Sequence, residues 1–162
     1  MALIRNSAVV TDELTDARDL EALPEGAVLV SLEQWREHRD ALIARDGAIG
    51  VALASDQHPV SIADDLEHFN VIALEFPTFR DGRAYSFARL LRDRYGYQGE
   101  LRAIGDVLLE QLHYMQRVGF DAFEVVGDDA IAAWQTAADD FTHWYQPTND
   151  GRSTIRDLRK SK

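Results

Sequence analysis

Cysteine is absent from this chain of 162 residues. That removes disulfides, thiolate nucleophiles, Cys-ligated zinc and Cys-ligated iron–sulfur clusters together. If the protein serves a redox pathway, it brings no thiol or cluster of its own to that work. Long apolar runs are missing too: none reaches the roughly 18 residues that a membrane-spanning helix needs. The N-terminus has no charged-then-apolar leader pattern. The expectation is a cytoplasmic protein with no membrane partner. Basic charge is scarce, with 17 Lys and Arg against 28 Asp and Glu and a net charge of −11. Binding to a nucleic-acid backbone calls for clustered Lys and Arg, so no nucleic-acid partner is expected. The acidic excess keeps a domain soluble and also permits docking on a basic protein surface. The five histidines (His38, His58, His68, His113 and His143) show no ligand spacing. No glycine-rich nucleotide fingerprint or zinc-protease signature occurs, so the sequence implies no metal and no cofactor. Ser86 and His113 find no third member for a nucleophilic triad.

What remains has the composition of an ordinary globular domain, 46% hydrophobic and 28% charged. The length fits one domain with a sizeable core. Residues 1–146 read as a single α/β domain with an N-terminal β-capable arm (LIRNSAVV, residues 3–10), and 147–162 as a polar, flexible tail. Five apolar stretches read as strands: Ala27–Val30, Ile49–Leu53, Val71–Phe76, Leu101–Ile104 and Ala122–Val126. Between them lie helical patterns. Ser31 with Gln34 forms a capping box for a helix whose inner side is Leu32, Trp35, Leu42 and Ile43, ended by Gly47. Residues 54–70 read as a loop with one helical turn. Asp81 or Gly82 opens a helix with Ala84, Phe87, Ala88, Leu91 and Tyr95 inward, and with Tyr85, Arg89 and Arg92 facing away. Gly105-Asp106 caps a helix bearing Val107, Leu108, Leu112, Met115 and Val118, stopped by Gly119. Asp128 or Asp129 caps a last helix with Ala130, Trp134, Ala137, Ala138, Phe141 and Tyr145 inward. Strands alternating with helices mean right-handed crossovers. The expected fold is therefore α/β, a mostly parallel open sheet or half-barrel of about five β/α units.

Such folds place their chemistry where strands give way to helices. Arg80, Asp81, Gly82 and Arg83, with Ser86 one turn later, stand at a helix start. Unpaired N–H groups and arginine there could take a carboxylate, phosphate or sulfate; equally, Asp81 is an N-cap and the arginines are solvated. Arg89 and Arg92 could contact an acidic partner surface, although Arg89 with Asp93 also makes an ordinary i,i+4 pair. Asp106 would share a sheet edge with Asp81 and Asp128, a set able to bind a divalent ion or act as acid and base, or simply three caps. Gln111 falls among Val107, Leu108, Met115 and Val118, and a buried amide there needs partners, either a neighbouring strand or loop or a ligand. Trp35, Trp134 and Trp144 read as core or interface anchors.

These residues resemble something known. The run FPTFRDGRAYSFARLLRDRYGYQGELRAIGDVLLEQLHYMQRVGFDAFEV, and the closing Trp144-Tyr145-Gln146, are similar to the signature of an uncharacterised bacterial family, domain of unknown function 934. The likeness covers about residues 27–146 and is most specific over 76–123. One departure is Val118, where many members carry Cys. The resemblance carries over Asp81, Gly82, Arg83, Tyr85, Ser86, Arg89, Arg92, Gly105, Asp106 and Gln111 as positions without assigned roles. Members are typically encoded beside sulfite or nitrite reductase and phosphoadenylylsulfate reductase, so the resemblance implies a part in assimilatory sulfate reduction. The expected function is an accessory protein docking on sulfite reductase or its electron donor. The alternatives are an enzyme or binder for a small sulfur oxyanion or its nucleotide ester, and an oxidoreductase.

Overall fold

In a computed structural model, the chain is described over residues 2–5, 8–126, 144–148 and 151–160. Eight strands form one sheet: β1 (Ala2–Arg5), β2 (Ala8–Val10), β3 (Thr15–Asp16), β4 (Val28–Ser31), β5 (Ile49–Leu53), β6 (Val71–Phe76), β7 (Glu100–Gly105) and β8 (Ala122–Val125). Their spatial order is β2-β1-β8-β7-β6-β5-β4-β3. From β3 to β8 every neighbour is parallel, whereas β1 runs antiparallel to β8, and β2 to β1. The five strands expected from the sequence are β4–β8. The arm contributes β1 and β2, and the acidic turn after it supplies the short edge strand β3.

The parallel strands follow one another in chain order, so right-handed crossovers all step the same way and put their helices on one face. On that face Val30, Val51, Ile72, Leu74, Leu101 and Phe123 join the main core. The opposite face carries a smaller cluster of Leu29, Ala52, Ala73 and Ile104, with Leu14 packed against it. Strands buried on both faces read as continuous apolar runs, and β5 (IGVAL) is buried throughout.

The connection from β2 to β3 forces the sheet to curl. These strands are opposite edges, yet only residues 11–14 lie between them. Five residue steps reach at most about 18 Å. Seven gaps of about 4.8 Å would hold the edges of a flat sheet about 34 Å apart. The edges therefore close toward each other into a half-barrel, and residues 11–14 cross its concave side as a strap. Leu14 fits over Gly50, where a Cβ would stand 3.1 Å from the Leu14 Cδ1. Beside it the Arg102 guanidinium, 0% exposed, donates to both Asp12 carboxylate oxygens (2.6 and 3.1 Å) and to Glu100 (2.9 Å), with Glu124 at 3.5 Å. Glu100 also pairs with Arg5 at 2.6 Å. Burial pushes the Glu124 carboxyl above its usual range.

The outer layer follows the sequence in part. Helix α1 (Leu32–Ile43) starts on the expected capping box, Ser31 Oγ accepting from the Gln34 N–H and Gln34 Oε1 from the Ser31 N–H. Gln34 reaches further and donates to the carbonyls of Ala17 and Leu20, tying down the segment after β3. Ile43 is exposed rather than inward, and Ala44 closes the helix, so Gly47 lies in the turn beyond it. Trp35 is a core anchor whose indole N–H donates to Asp65 at 2.9 Å. Residues 54–70 hold two 3-10 turns, Pro59–Ile62 and Leu66–His68.

Helix α2 (Arg83–Asp93) buries Ala84, Ala88 and Leu91 as expected. Two residues assigned to its outer side do not face away. Tyr85 packs edge-on against Phe76, and the Arg92 side chain is 16% exposed. Arg92 donates to the carbonyls of Tyr97, Gly99 and Gly119 and pairs with Asp121. A long flexible side chain at the margin of an apolar stripe can swing under it where carbonyls wait, which an angular plot cannot register. The helix expected to start at Asp106 begins later: a 3-10 turn, Leu109–Gln111, leads into α3 (Leu112–Arg117). Residues 147–162 are expected as a polar, flexible tail, and within them lies the helix Ile155–Lys160. The helix expected after Asp128 or Asp129, with Trp134, falls outside the described residues.

Removing the buried cation leaves three carboxylates facing each other. Arg102→Met is expected to lose about 3–5 kcal/mol in urea unfolding. Glu124 gives a signed pH effect. Its folded-state pKa lies above the unfolded value, so its contribution is complete at low pH and is lost as pH rises through the folded pKa. The neutral Glu124→Gln chain should therefore gain stability relative to the natural one as pH rises above the ordinary carboxylate range, until Glu124 ionises in the folded state. A constant difference across that series would contradict this assignment.

Candidate functional site

At the C-terminal rim of the sheet, three strand exits meet. Ser55 follows β5, the loop of residues 77–82 follows β6, and Asp106 follows β7. Gly105 makes the last two fit. Its φ of +93° and its approach to β6, where a Cβ would lie 2.4 Å from the Phe76 carbonyl oxygen, admit no side chain. The Asp106 N–H then donates to that same carbonyl at 2.7 Å. This places the Asp106 carboxylate over the 77–82 loop, where it accepts from the Phe79 N–H at 2.9 Å. Asp106 is therefore not the N-cap that its position suggested. It braces a neighbouring loop.

Gln111 completes the brace. Its Nε2 donates to the Phe79 carbonyl at 3.3 Å, while its Oε1 accepts from the Leu108 N–H at 3.4 Å. Of the two partners open to this amide, a loop is the one found. The Phe79 residue is thus gripped at its N–H by Asp106 and at its carbonyl by Gln111. Its ring is nonetheless 46% exposed, with the Arg80 guanidinium 5.5 Å from the ring centre. Pro77, Thr78 and Arg80 are exposed as well.

The other end of the loop is fastened by charge. Arg83 donates to both Asp81 oxygens, at 2.6 Å to Oδ2 and 3.0 Å to Oδ1, and to Ser55 Oγ at 2.8 Å. The Arg83 side chain beside Asp81 holds its carboxyl well below the usual range, helped by the Arg83 backbone N–H. Ser55 is 8% exposed. The carboxylate of Asp81 therefore already occupies the start of α2, where an external anion was an alternative. Gly82 is the N-cap residue, without a side chain to cap.

The rim gathers Arg80, Asp81, Gly82, Arg83, Gly105, Asp106 and Gln111. Tyr85 and Ser86 lie in the first turns of α2. Burial pushes the Tyr85 hydroxyl up to about 12, and its ring sits 5.2 Å from Tyr114. Arg89 makes its surface pair with Asp93 at 3.0 Å. Arg92 works at the opposite end of the sheet, among residues that precede β7 and β8. Asp128, the third carboxylate of the expected set, is outside the described residues. Among the described residues no three His, Asp or Glu side chains are grouped to hold a metal ion. Sequence reasoning passed over Ser55, Phe79 and Arg102. The signals were an aromatic inside a polar turn and an arginine inside the apolar strand LRAI.

Residues 50–156 match the profile of a family described as "Bacterial protein of unknown function (DUF934)". No curated protein matches the chain. The matched span contains every rim residue from Ser55 to Gln111 and leaves the strap outside.

Two substitutions separate the brace from the fold. Gly105→Ala should destabilise the whole domain by about 1–3 kcal/mol, through a disfavoured φ and the clash with Phe76. Asp106→Ala should leave thermal unfolding nearly unchanged while amide exchange at Phe79 quickens about tenfold, the loss of one hydrogen bond. Equal exchange at Phe79 in both chains would show that Asp106 does not hold the loop.

Proposed function

The chain belongs to this family of bacterial proteins of unknown function, and on that premise we propose that it is an accessory protein of assimilatory sulfite reduction. It docks on sulfite reductase or on the reductase's electron donor. One observation carries the docking half of this reading: Phe79 is held at both backbone groups yet presents its ring to solvent. Aromatic and arginine side chains dominate interface energetics, and a pre-ordered anchor loses little entropy on binding. The polar groups around it, Asp81, Arg83 and Ser55, are engaged with one another. The sulfur half rests on the gene neighbourhood that the family resemblance implies. An acidic chain, net −11, favours a partner with a basic face.

A second reading has its own support. The Arg83 side chain remains 54% exposed at the rim, so a small sulfur oxyanion or its nucleotide ester could displace Asp81 from it. Calorimetric titration with sulfite, sulfate and adenylylsulfate separates the two readings. Arg83→Ala should weaken any such binding at least tenfold, about 1.4 kcal/mol.

The docking reading is tested by direct binding of the full chain to purified sulfite reductase and to its electron donor. Phe79→Ala should lower the affinity about thirtyfold, near 2 kcal/mol, with thermal stability unchanged. Absence of binding to either protein removes this function.

A further inference from the structure

The end of the chain is opposite in charge to the rest. Residues 151–162 contain five of the 17 Lys and Arg and one of the 28 Asp and Glu. Both lysines of the chain, Lys160 and Lys162, are there. The segment carries +4, against −15 for the 150 residues before it.

Its described part is built to stay folded. Thr154 is buried and opens the helix Ile155–Lys160 with a reciprocal cap. The Asp157 N–H donates to Thr154 Oγ1 at 3.3 Å, and the Thr154 N–H and hydroxyl donate to Asp157 Oδ2 at 3.1 and 2.6 Å. The one acid of the segment is thus committed to the cap. Six residues would not hold a helix alone. This one is anchored through Trp144, which bridges to Thr154 and accepts from the Ile155 N–H at 2.7 Å. The Trp144 ring stacks on His113 of α3 at 4.7 Å, with the Arg117 guanidinium 4.5 Å and the Arg152 guanidinium 5.2 Å from its centre.

What this anchored turn displays is basic. Arg156, Arg159 and Lys160 are exposed and make no ion pair with any other described element, and Leu158 among them is 44% exposed. The helix's own dipole accounts for cations in its last turn, Arg159 and Lys160. It does not account for Arg156 or for the exposed side chain of Leu158.

We propose that this helix is a docking element for a compact acidic patch on another protein, with Leu158 as the apolar centre of the contact. Size and charge select that partner. The helix is about 9 Å long, close to the distance of about 8–10 Å over which salt screens charge. A nucleic acid or an anionic membrane extends far beyond that reach and would face the −15 of the domain. A second copy offers acidic groups but brings two strongly like-charged domains together. A local acidic patch meets the helix alone. The inference uses no rim residue and stands whether or not the rim docks.

The test is fluorescence anisotropy with the full chain and a labelled helical peptide carrying several Glu around one Leu, beside its Glu→Gln counterpart. At low salt the Glu peptide should bind at least about tenfold tighter, and about 0.5 M NaCl should abolish the difference. The combined Arg156→Glu, Arg159→Glu and Lys160→Glu substitutions should remove it, while Arg36→Glu at an exposed position of α1 leaves it intact. If the triple variant melts early, Arg156→Glu alone serves, since that residue lies outside the helix's last turn. Equal binding of both peptides, or no effect of the substitutions, overturns the proposal. So does duplex DNA, a phosphatidylserine vesicle or self-association proving to be the binding that these substitutions abolish.

Discussion

The guanidinium of Arg102 has no contact with solvent, and the shape of the sheet depends on what answers its charge. A buried cation without partners would cost more than the domain could bear. Glu100 on the same strand supplies one carboxylate, and Glu124 on β8 lies near. The bidentate partner, Asp12, comes from 90 residues earlier in the chain. To deliver it, the strap must cross the concave side, and to cross it with four residues the sheet must bring its edges together. Ion pair, strap and curl are therefore one constraint.

That constraint sets up the rim. A curled parallel sheet brings the exits of β5, β6 and β7 close together, and Gly105 removes the last obstacle between two of them. Asp106 and Gln111 then reach across to one peptide of the neighbouring loop, and Arg83 fastens the loop's far end to Ser55 through the Asp81 pair. Most of the motif residues that suggested chemistry turn out to hold one another. They leave the Phe79 ring in solvent, with the Arg80 guanidinium beside it.

Some of this was readable in the residues. The capping box at Ser31, the core positions Trp35, Ala84 and Leu91, and the five parallel strands all follow from spacing, because caps and stripes are local. Asp81, Arg83 and Asp106 were rightly placed at strand exits. Their partners were not readable. Whether Asp106 caps its own helix or braces a loop 27 residues back depends on the distance between two strand ends. Arg92 illustrates the same limit: an angular plot turned it outward, while three carbonyls from later turns drew it beneath α2.

By itself, the sequence determined the class of the fold and the side chains available to it: no thiol, an acidic surface, parallel strands and a loop rich in motif residues. Hydrophobic period and cap chemistry act over a few residues, so they are written in short stretches. The tertiary structure alone decided the curl, the strap and the pairing of Asp12 with Arg102. Each requires groups far apart in the chain to meet, and only closure of the sheet fixes which of many carboxylates lies within reach of a buried arginine.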